Sequence, residues 1–382
     1  MNSSSPHPTP DHPVSDRLAG LLEMGFERVD PGPVTTESVR IDADTHKVSQ
    51  VRPAMGSFVT ISVLHQSEAL ATEAIGRAFE EMDRIVAVLN RFDGNSALAY
   101  LNDTGHIEGA PPELTRVVGD GLGYHRLTGG AFDITVKPII DLFRDPQTYE
   151  PRKAPSATEL GEARALVGAE HIRMDGRDLT LSRSGMGLTL DGIAKGYIVD
   201  AMADGLRAHG VTRFLINAGG DIRAAGDRGD ELPWTIAIRD PEDSAPSWDS
   251  ESWRRCVVPD LIRITSGAVA TSGSYEVYFD RQRLAHHIVQ GQTGRSPDHA
   301  MSVTVTAATT MEADALATAV FVLGPDEGAG LINGLAGCEC LIIDRQGKQV
   351  RSEGWSGIAA SGGEPGKRVG GAGTGANGQR DG

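Results

Sequence analysis

Cysteine is nearly absent from this chain: three in 382 residues, Cys256, Cys338 and Cys340. None stands in a CxxC pair, which excludes a thiolate zinc site and a disulfide framework. Cys338 and Cys340 flank Glu339 ahead of the apolar run "LIID", where small, buried strand residues are expected. Positive charge is short as well. Against 52 Asp and Glu stand 36 Lys and Arg, a formal net charge of −16. A surface of that sign repels nucleic acid and anionic lipid, so neither is expected as a partner. No apolar run reaches the roughly 20 residues of a membrane helix, so no stable membrane insertion is expected. The start, "MNSSSPHPTPDHPVSDRLAG", has no basic n-region, apolar core or lipobox cysteine, and the expected location is cytoplasmic. There is no Ser-His-Asp elbow and no HExxH motif.

What is present is an ordinary globular composition, 39% hydrophobic and 23% charged, with ends that differ from the middle. Residues 1–49 read as a partly flexible extension, polar and Pro-rich at first, then carrying the amphipathic patch "LAGLLEMGF". Residues 361–382 are Gly-rich without apolar anchors and read as a disordered tail. The working body is therefore residues 50–360. Within it "FVTISVL" (58–64) alternates like a strand, and Ile75, Phe79, Met82, Ile85, Val86 and Leu89 mark one face of a helix over 70–90. Helices are also expected over 112–127, over 197–210 with Gly210 as its stop, and over 312–324 ending at Gly324. Strands are expected in "RFLINAGG" (213–220), "PWTIAIRDP", "IRITSGAVATSG" and the start of "GGAFDITVKPIIDLFR", with a hairpin around Asp175-Gly176. The mixture is an α+β body, with strand pairs of both senses and packed helices.

The segment "TLDGIAKGYIVD" (189–200) sets a lysine between two glycines, at a turn from an apolar stretch into a helix. A Walker loop needs GxxxxGK followed by Ser or Thr, and a dinucleotide fingerprint needs GxGxxG; neither is met. What survives is a helix start whose N–H groups and Lys195 ammonium suit an anion. The same residues also fit a solvated first-turn lysine. An acidic chain that holds a phosphate needs such a local device, or a bound cation.

Other constellations carry chemistry only in combination. In "EADALATAVFVLG", Asp314 and Thr318 share a face of an otherwise apolar helix. A carboxylate there is either the cap of a helix beginning at Ala315 or a ligand for a hard, oxygen-loving cation. Glycine pairs precede Asp133 and Asp221, and His286-His287 precede a Thr-Gly turn. Each alone is compatible with simple turn chemistry.

Taken in order, these pieces resemble the ApbE family, the FAD:protein FMN transferases. The chain reads "AMGSFVTISV" (54–63), "NRFDGNSALAYLN" (90–102), "GGAFDITVKP" (129–138), "DGIAKGYIVD" (191–200), "LINAGGDI" (215–222), "AVATSGSYEVYF" (268–279), "HHIVQGQTGRSP" (286–297), "SVTVTA" (302–307) and "ADALAT" (313–318). These nine motifs are collinear with the family's pattern over about residues 50–345. The departures are specific. Ser57 stands for the Thr of "MGT", Thr189 for an Asp with Asp191 at the neighbouring position, Gln290-Gly291 for an Asp-Pro, and Phe92 for a Tyr.

The resemblance implies mixed sheets with packed helices in two intertwined subdomains of one catalytic body. It implies FAD as substrate, Mg²⁺ as cofactor and an acceptor flavoprotein as partner. FMN would pass from FAD to a Thr or Ser hydroxyl as a phosphoester, and AMP would leave. Carried over residue by residue, the metal ligands are Asp314, Thr318 and main-chain oxygens at Gly192 and Ala317. The FAD site comprises Met55, Phe92, Ala131, Phe132, Asp133, Thr189, Asp191, Lys195 and His287. His287 is the expected base, with His286 its competitor. The alternatives are an FAD pyrophosphatase using water as nucleophile, and a non-catalytic FAD-binding module.

Overall fold

The computed structural model describes residues 35–143, 154–229, 231–241, 260–275, 278–279 and 285–359. The expectations for residues 1–34, for Cys256 and for the tail from 361 lie outside them. The chain divides into two compact units, residues 1–234 with 264–355 and residues 235–263 with 356–382. The smaller unit thus draws on two separate stretches of chain.

The larger unit is organised by a nine-stranded sheet. Its order is β1 (Thr35–Arg40), β2 (His46–Ala54), β3 (Ser57–His65), β7 (Arg213–Ala218), β8 (Asp221–Ala225), β11 (Ser266–Gly273), β12 (Ala300–Ala307), β13 (Glu339–Asp344) and β14 (Gln349–Arg351). Every ladder in it is antiparallel, so the expected pairs of both senses are not found there. Short hairpins impose this at β1–β2, β2–β3, β7–β8 and β13–β14; the other four ladders join strands that long connections bring together. The boundary expected at residue 50 falls inside β2, because the polar strand β1 pairs with β2 from Arg40↔His46 to Thr35↔Val51. A small second sheet joins β4 (His106–Ile107) to the hairpin of β5 (Ile172–Asp175) and β6 (Asp178–Leu181), whose loop is Gly176-Arg177. A further three-stranded sheet, with most of its residues in the smaller unit, is formed by β9 (Trp234–Ile238), β10 (Asp260–Ile264) and β15 (Ile358–Ala359).

The helices follow the apolar spacing. Helix α1 (Glu68–Leu89) starts at Ser67, whose hydroxyl accepts from Leu70 N–H, and buries Ile75, Phe79, Met82, Ile85 and Leu89. After it come α2 (Ala97–Thr104), α3 (Pro112–Leu127), α4 (Lys137–Phe143), α5 (Ala157–Arg164), α6 (Ala194–Ala208), α7 (Thr310–Leu323) and α8 (Pro325–Asn333). Among the described residues no helix is long and apolar enough to cross a membrane.

Helices α6 and α7 place the chemistry, and carboxylates lock them together reciprocally. Asp200 on α6 accepts from the N–H groups of Thr310 and Met311, both at 2.9 Å, at the start of α7. Asp314 on α7 accepts from Gly196 N–H at 3.0 Å, in the first turn of α6. Each helix thus supplies the anion that the other's N-terminus favours. The approach requires Gly196: a Cβ there would lie 2.5 Å from Thr310 O and 2.6 Å from Met311 Cα. Both are backbone atoms and cannot swing aside. Gly196→Ala is therefore expected to cost about 1–3 kcal/mol of stability by overpacking, read as a lower urea midpoint at unchanged slope; a wild-type midpoint would refute the contact.

Candidate active site

Around the α6–α7 junction lies a cleft of about 730 Å³, its open mouth included. Its lining includes apolar Phe132, Ile134, Val136, Ile140, Ile288 and Val289, which suit a flat ring system. Polar groups share it. Asp191, Lys195, Asp221, Ser272, Asp314 and Thr318 face the same space as His287.

The segment 131–136, expected as the start of a strand, is a loop. Its apolar residues Phe132, Ile134 and Val136 do alternate, but its polar groups are satisfied otherwise. Asp133 Oδ1 accepts from the N–H of Thr135 at 2.8 Å and from its hydroxyl at 2.6 Å. Phe132 N–H donates to Thr128 Oγ1, and Thr189 N–H donates to Ile134 O. These bonds, most of them from side chains, stand where a ladder would and fix Phe132 and Ile134 beside the cleft they line. Burial pushes the Asp133 carboxyl above its ordinary range, opposed by the Thr135 bonds and the charge of His125.

The "LTL" stretch before the lysine turn is likewise extended without a ladder. Leu190 O accepts from Ala194 N–H at 2.8 Å, which turns the chain into α6 and puts Lys195 in its first turn. Lys195 Nζ lies 3.4 Å from Asp221 Oδ2. Thr189 is buried beside Asp191, whose N–H reaches its hydroxyl at 3.4 Å. Asp191 keeps about half of its side chain exposed (47%). Its protein surroundings oppose ionisation, but the charge and hydrogen bonds of Arg91, with smaller help from Thr189 and His287, hold the carboxyl below its ordinary value.

Helix α7 begins at Thr310, capped by the Thr309 hydroxyl, so Asp314 does not cap its own helix. It is an interior position, 6% exposed. One turn on, Thr318 Oγ1 is 3.3 Å from Ser272 Oγ on β11. A Cβ on Gly192 would stand 2.8 Å from that Thr318 hydroxyl, so the main chain at 192 passes directly beside it. A carboxylate, two hydroxyls and main chain make an all-oxygen donor set, the kind Mg²⁺ takes together with waters and phosphates. Among the described residues no group of three His, Cys, Asp or Glu is placed to hold a metal ion, and a site of this composition would not need one.

Among the described residues the adjacent histidines lie outside the named strands, with His286 bridged to Tyr278. His286 is fully buried, its Nε2 2.9 Å from Pro297 O and its ring edge-on to Phe321. His287 lines the cleft.

Of the residues expected at the site, Ala131, Phe132, Asp133, Thr189, Asp191, Gly192, Lys195, His287, Asp314 and Thr318 come together here. Three do not line the cleft. Met55 forms the tight β2–β3 turn at φ 52° and packs on the core. Phe92 is half exposed beneath Arg91, and Ala317 is buried inside α7. Arg91, Asp221 and Ser272 join the site without a local signal of their own: each lies in a motif with the family's pattern, but the role of Arg91 depends on Asp191, 100 positions away.

The chain matches the model of the ApbE family over residues 55–342. An FAD:protein FMN transferase of Vibrio cholerae is 33% identical over 287 residues, covering 72% of this chain and 81% of that protein. One from Escherichia coli K12 is 28% identical over 343 residues, covering 87% and 92%. Among solved structures, the flavinyl transferase ApbE of Pseudomonas stutzeri superposes with a TM-score of 0.69 at 28% identity, covering 83% of this chain and 94% of that one. The ApbE protein of Thermotoga maritima gives 0.71 at 29% identity, covering 84% and 97%.

Proposed function

The chain belongs to the ApbE family, and on that premise we propose that it is a flavin transferase, moving FMN from FAD to a Thr or Ser hydroxyl of an acceptor protein. The observation that carries this reading is the mixed lining of one cleft. Apolar Phe132, Ile134, Val136, Ile140 and Val289, fit for a flavin ring, share it with Lys195, His287, Asp314, Thr318 and Ser272.

The acceptor oxygen attacks the FMN-side phosphorus, the bond from that phosphorus to the AMP oxygen breaks, and the hydroxyl proton goes to a base. His287 is assigned as that base, because imidazole accepts a proton near neutral pH. Lys195, on the first turn of α6, offers its ammonium to the phosphates, with Asp221 fixing the side chain. Asp314, Thr318 and the main chain at Gly192 are assigned to Mg²⁺, which when bound neutralises pyrophosphate oxygens as charge moves onto departing AMP. The apolar lining residues exclude water and orient the ring, so the acceptor is aligned with the phosphorus before reaction.

The deciding experiment is incubation with FAD, Mg²⁺ and candidate acceptor flavoproteins, followed by in-gel flavin fluorescence and mass measurement. An acceptor heavier by one FMN residue, with AMP released in equal amount, is expected. FMN and AMP released without labelled protein would replace the transferase reading with a pyrophosphatase. Lys195 is assigned to binding and not to covalent catalysis. Lys195→Gln is expected to weaken FAD binding, and quenched reactions are expected to carry no nucleotide on Lys195. A phosphoramidate found there would reverse the assignment.

A further inference from the structure

We propose that Arg91 is a positioning residue for the nucleotide: it balances the charge of Asp191, so that this carboxylate accepts hydrogen bonds from hydroxyl or N–H groups of FAD instead of repelling its phosphates. The inference rests on the FAD-site reading above.

The cleft carries four carboxylates, Asp133, Asp191, Asp221 and Asp314. Asp221 has Lys195 beside it. Asp191 has Arg91, which does not itself line the cleft. Arg91 Nε lies 3.1 and 3.0 Å from the two Asp191 oxygens, and Nη2 lies 2.8 Å from Oδ2. The guanidinium is only 12% exposed and stacks 4.1 Å above the Phe92 ring. A third tie runs to Asp141 on α4 at 4.0 Å, and Asp141 is in turn bonded by Lys137. The loop that presents Arg91 is stiff: Asn90 Oδ1 accepts from Phe92 N–H, and Asn90 O accepts from the Ser96 hydroxyl. A fork held on one face by an aromatic ring and on its edge by a carboxylate has little freedom to leave. Two carboxylate oxygens offer about four acceptor positions; the guanidinium's hold leaves capacity toward the cleft that Asp191 lines.

The arrangement makes an unusual prediction about pairs of substitutions. Removing Arg91 leaves Asp191 as an unbalanced negative charge next to a pyrophosphate, so removing Asp191 as well should improve matters. The test is titration of FAD into the purified full chain, read by flavin fluorescence, with steady-state transfer kinetics alongside. Arg91→Gln is expected to weaken FAD binding at least about tenfold, the scale of a lost charge-assisted hydrogen bond. It should raise KM while kcat at saturating FAD stays near wild type. Arg91→Lys should recover only part, since an ammonium can neither pair bidentately nor stack as a plane. Arg91→Gln with Asp191→Asn should bind FAD more tightly than Arg91→Gln alone. Should Arg91→Gln not fold, Arg91→Lys against Arg91→Lys with Asp191→Asn carries the same comparison. Wild-type affinity in Arg91→Gln, a double variant no better than its parent, or a loss confined to kcat would each overturn the inference. Failure of the wild-type chain to bind FAD would overturn the FAD-site reading first, and this inference with it.

Discussion

Asp314→Asn is expected to abolish flavin transfer while leaving the fold intact. The carboxylate has two separable duties. Structurally, one oxygen accepts from Gly196 N–H at the start of α6. An amide oxygen can do the same, so the α6–α7 junction should survive. Chemically, Asp314 is the only carboxylate in the proposed cation site, beside the Thr318 and Ser272 hydroxyls and the main chain at Gly192. Without its charge the remaining donors are neutral oxygens, which hold Mg²⁺ poorly. Loss of metal-assisted charge neutralisation is worth several kcal/mol, a rate deficit of about 10³ or more. Asp314→Ala should show the same deficit plus a small fall in thermal midpoint, because it also removes a cap worth about 1 kcal/mol. The wild-type chain should stop in EDTA and restart on adding Mg²⁺. Normal turnover by a folded Asp314→Asn protein, or by wild type in EDTA, would refute the metal assignment.

In the sequence, the grouping of candidate site residues was more legible than the order of the strands. Asp314 and Thr318 could be paired because a helix puts positions i and i+4 on one face. The apolar run around them marked that face as interior. What local spacing left open was whether Asp314 caps its own helix. The start at Thr309-Thr310 resolves it: the carboxylate caps α6 instead, across 118 positions of chain. Interactions at that separation have no period to read. Arg91–Asp191 is another, and so is Asp200 at the start of α7.

The misread elements fail for the same kind of reason. "FDITV" has the alternation and β-branching of a strand, but strand identity needs a neighbour to pair with. Here Asp133, Thr128 and Thr135 side chains take part in the bonds a neighbour would have supplied. Conversely "TTESVR" has no apolar alternation, yet it is a strand, because an edge position beside β2 asks for backbone pairing and tolerates polar side chains. Individual strands over 58–64 and 213–218 were visible, but the β3–β7 ladder joining them spans the whole of α1 to α6. Sheet order of this kind is fixed by tertiary packing rather than by local pattern.

His287→Ala is expected to lower the rate of FMN transfer by about 10²–10⁴, with a far smaller change in FAD affinity. His287 lines the cleft, so it can reach an acceptor hydroxyl brought there. The sign of the pH dependence follows from the role. A base works only unprotonated, so the wild-type rate should fall as pH drops through the imidazole range, about pH 5 to 8. Asp191, held below the ordinary carboxylate range, remains ionised throughout that window and should add no limb of its own. His287→Ala should therefore lose the acid limb along with the rate. His286→Ala makes a sharp contrast. Its ring is buried against Phe321 and bonded to Pro297 O, so the substitution should cost about 1–3 kcal/mol of stability and keep the pH profile of the folded fraction. An essential His286 with a dispensable His287 would exchange the two roles and would require the buried ring to reach the cleft. If both variants transfer FMN normally at saturating FAD, neither histidine takes the proton. The acceptor would then have to lose it to another carboxylate of the cleft or to solvent, and a flat acid limb in wild type would be the accompanying sign.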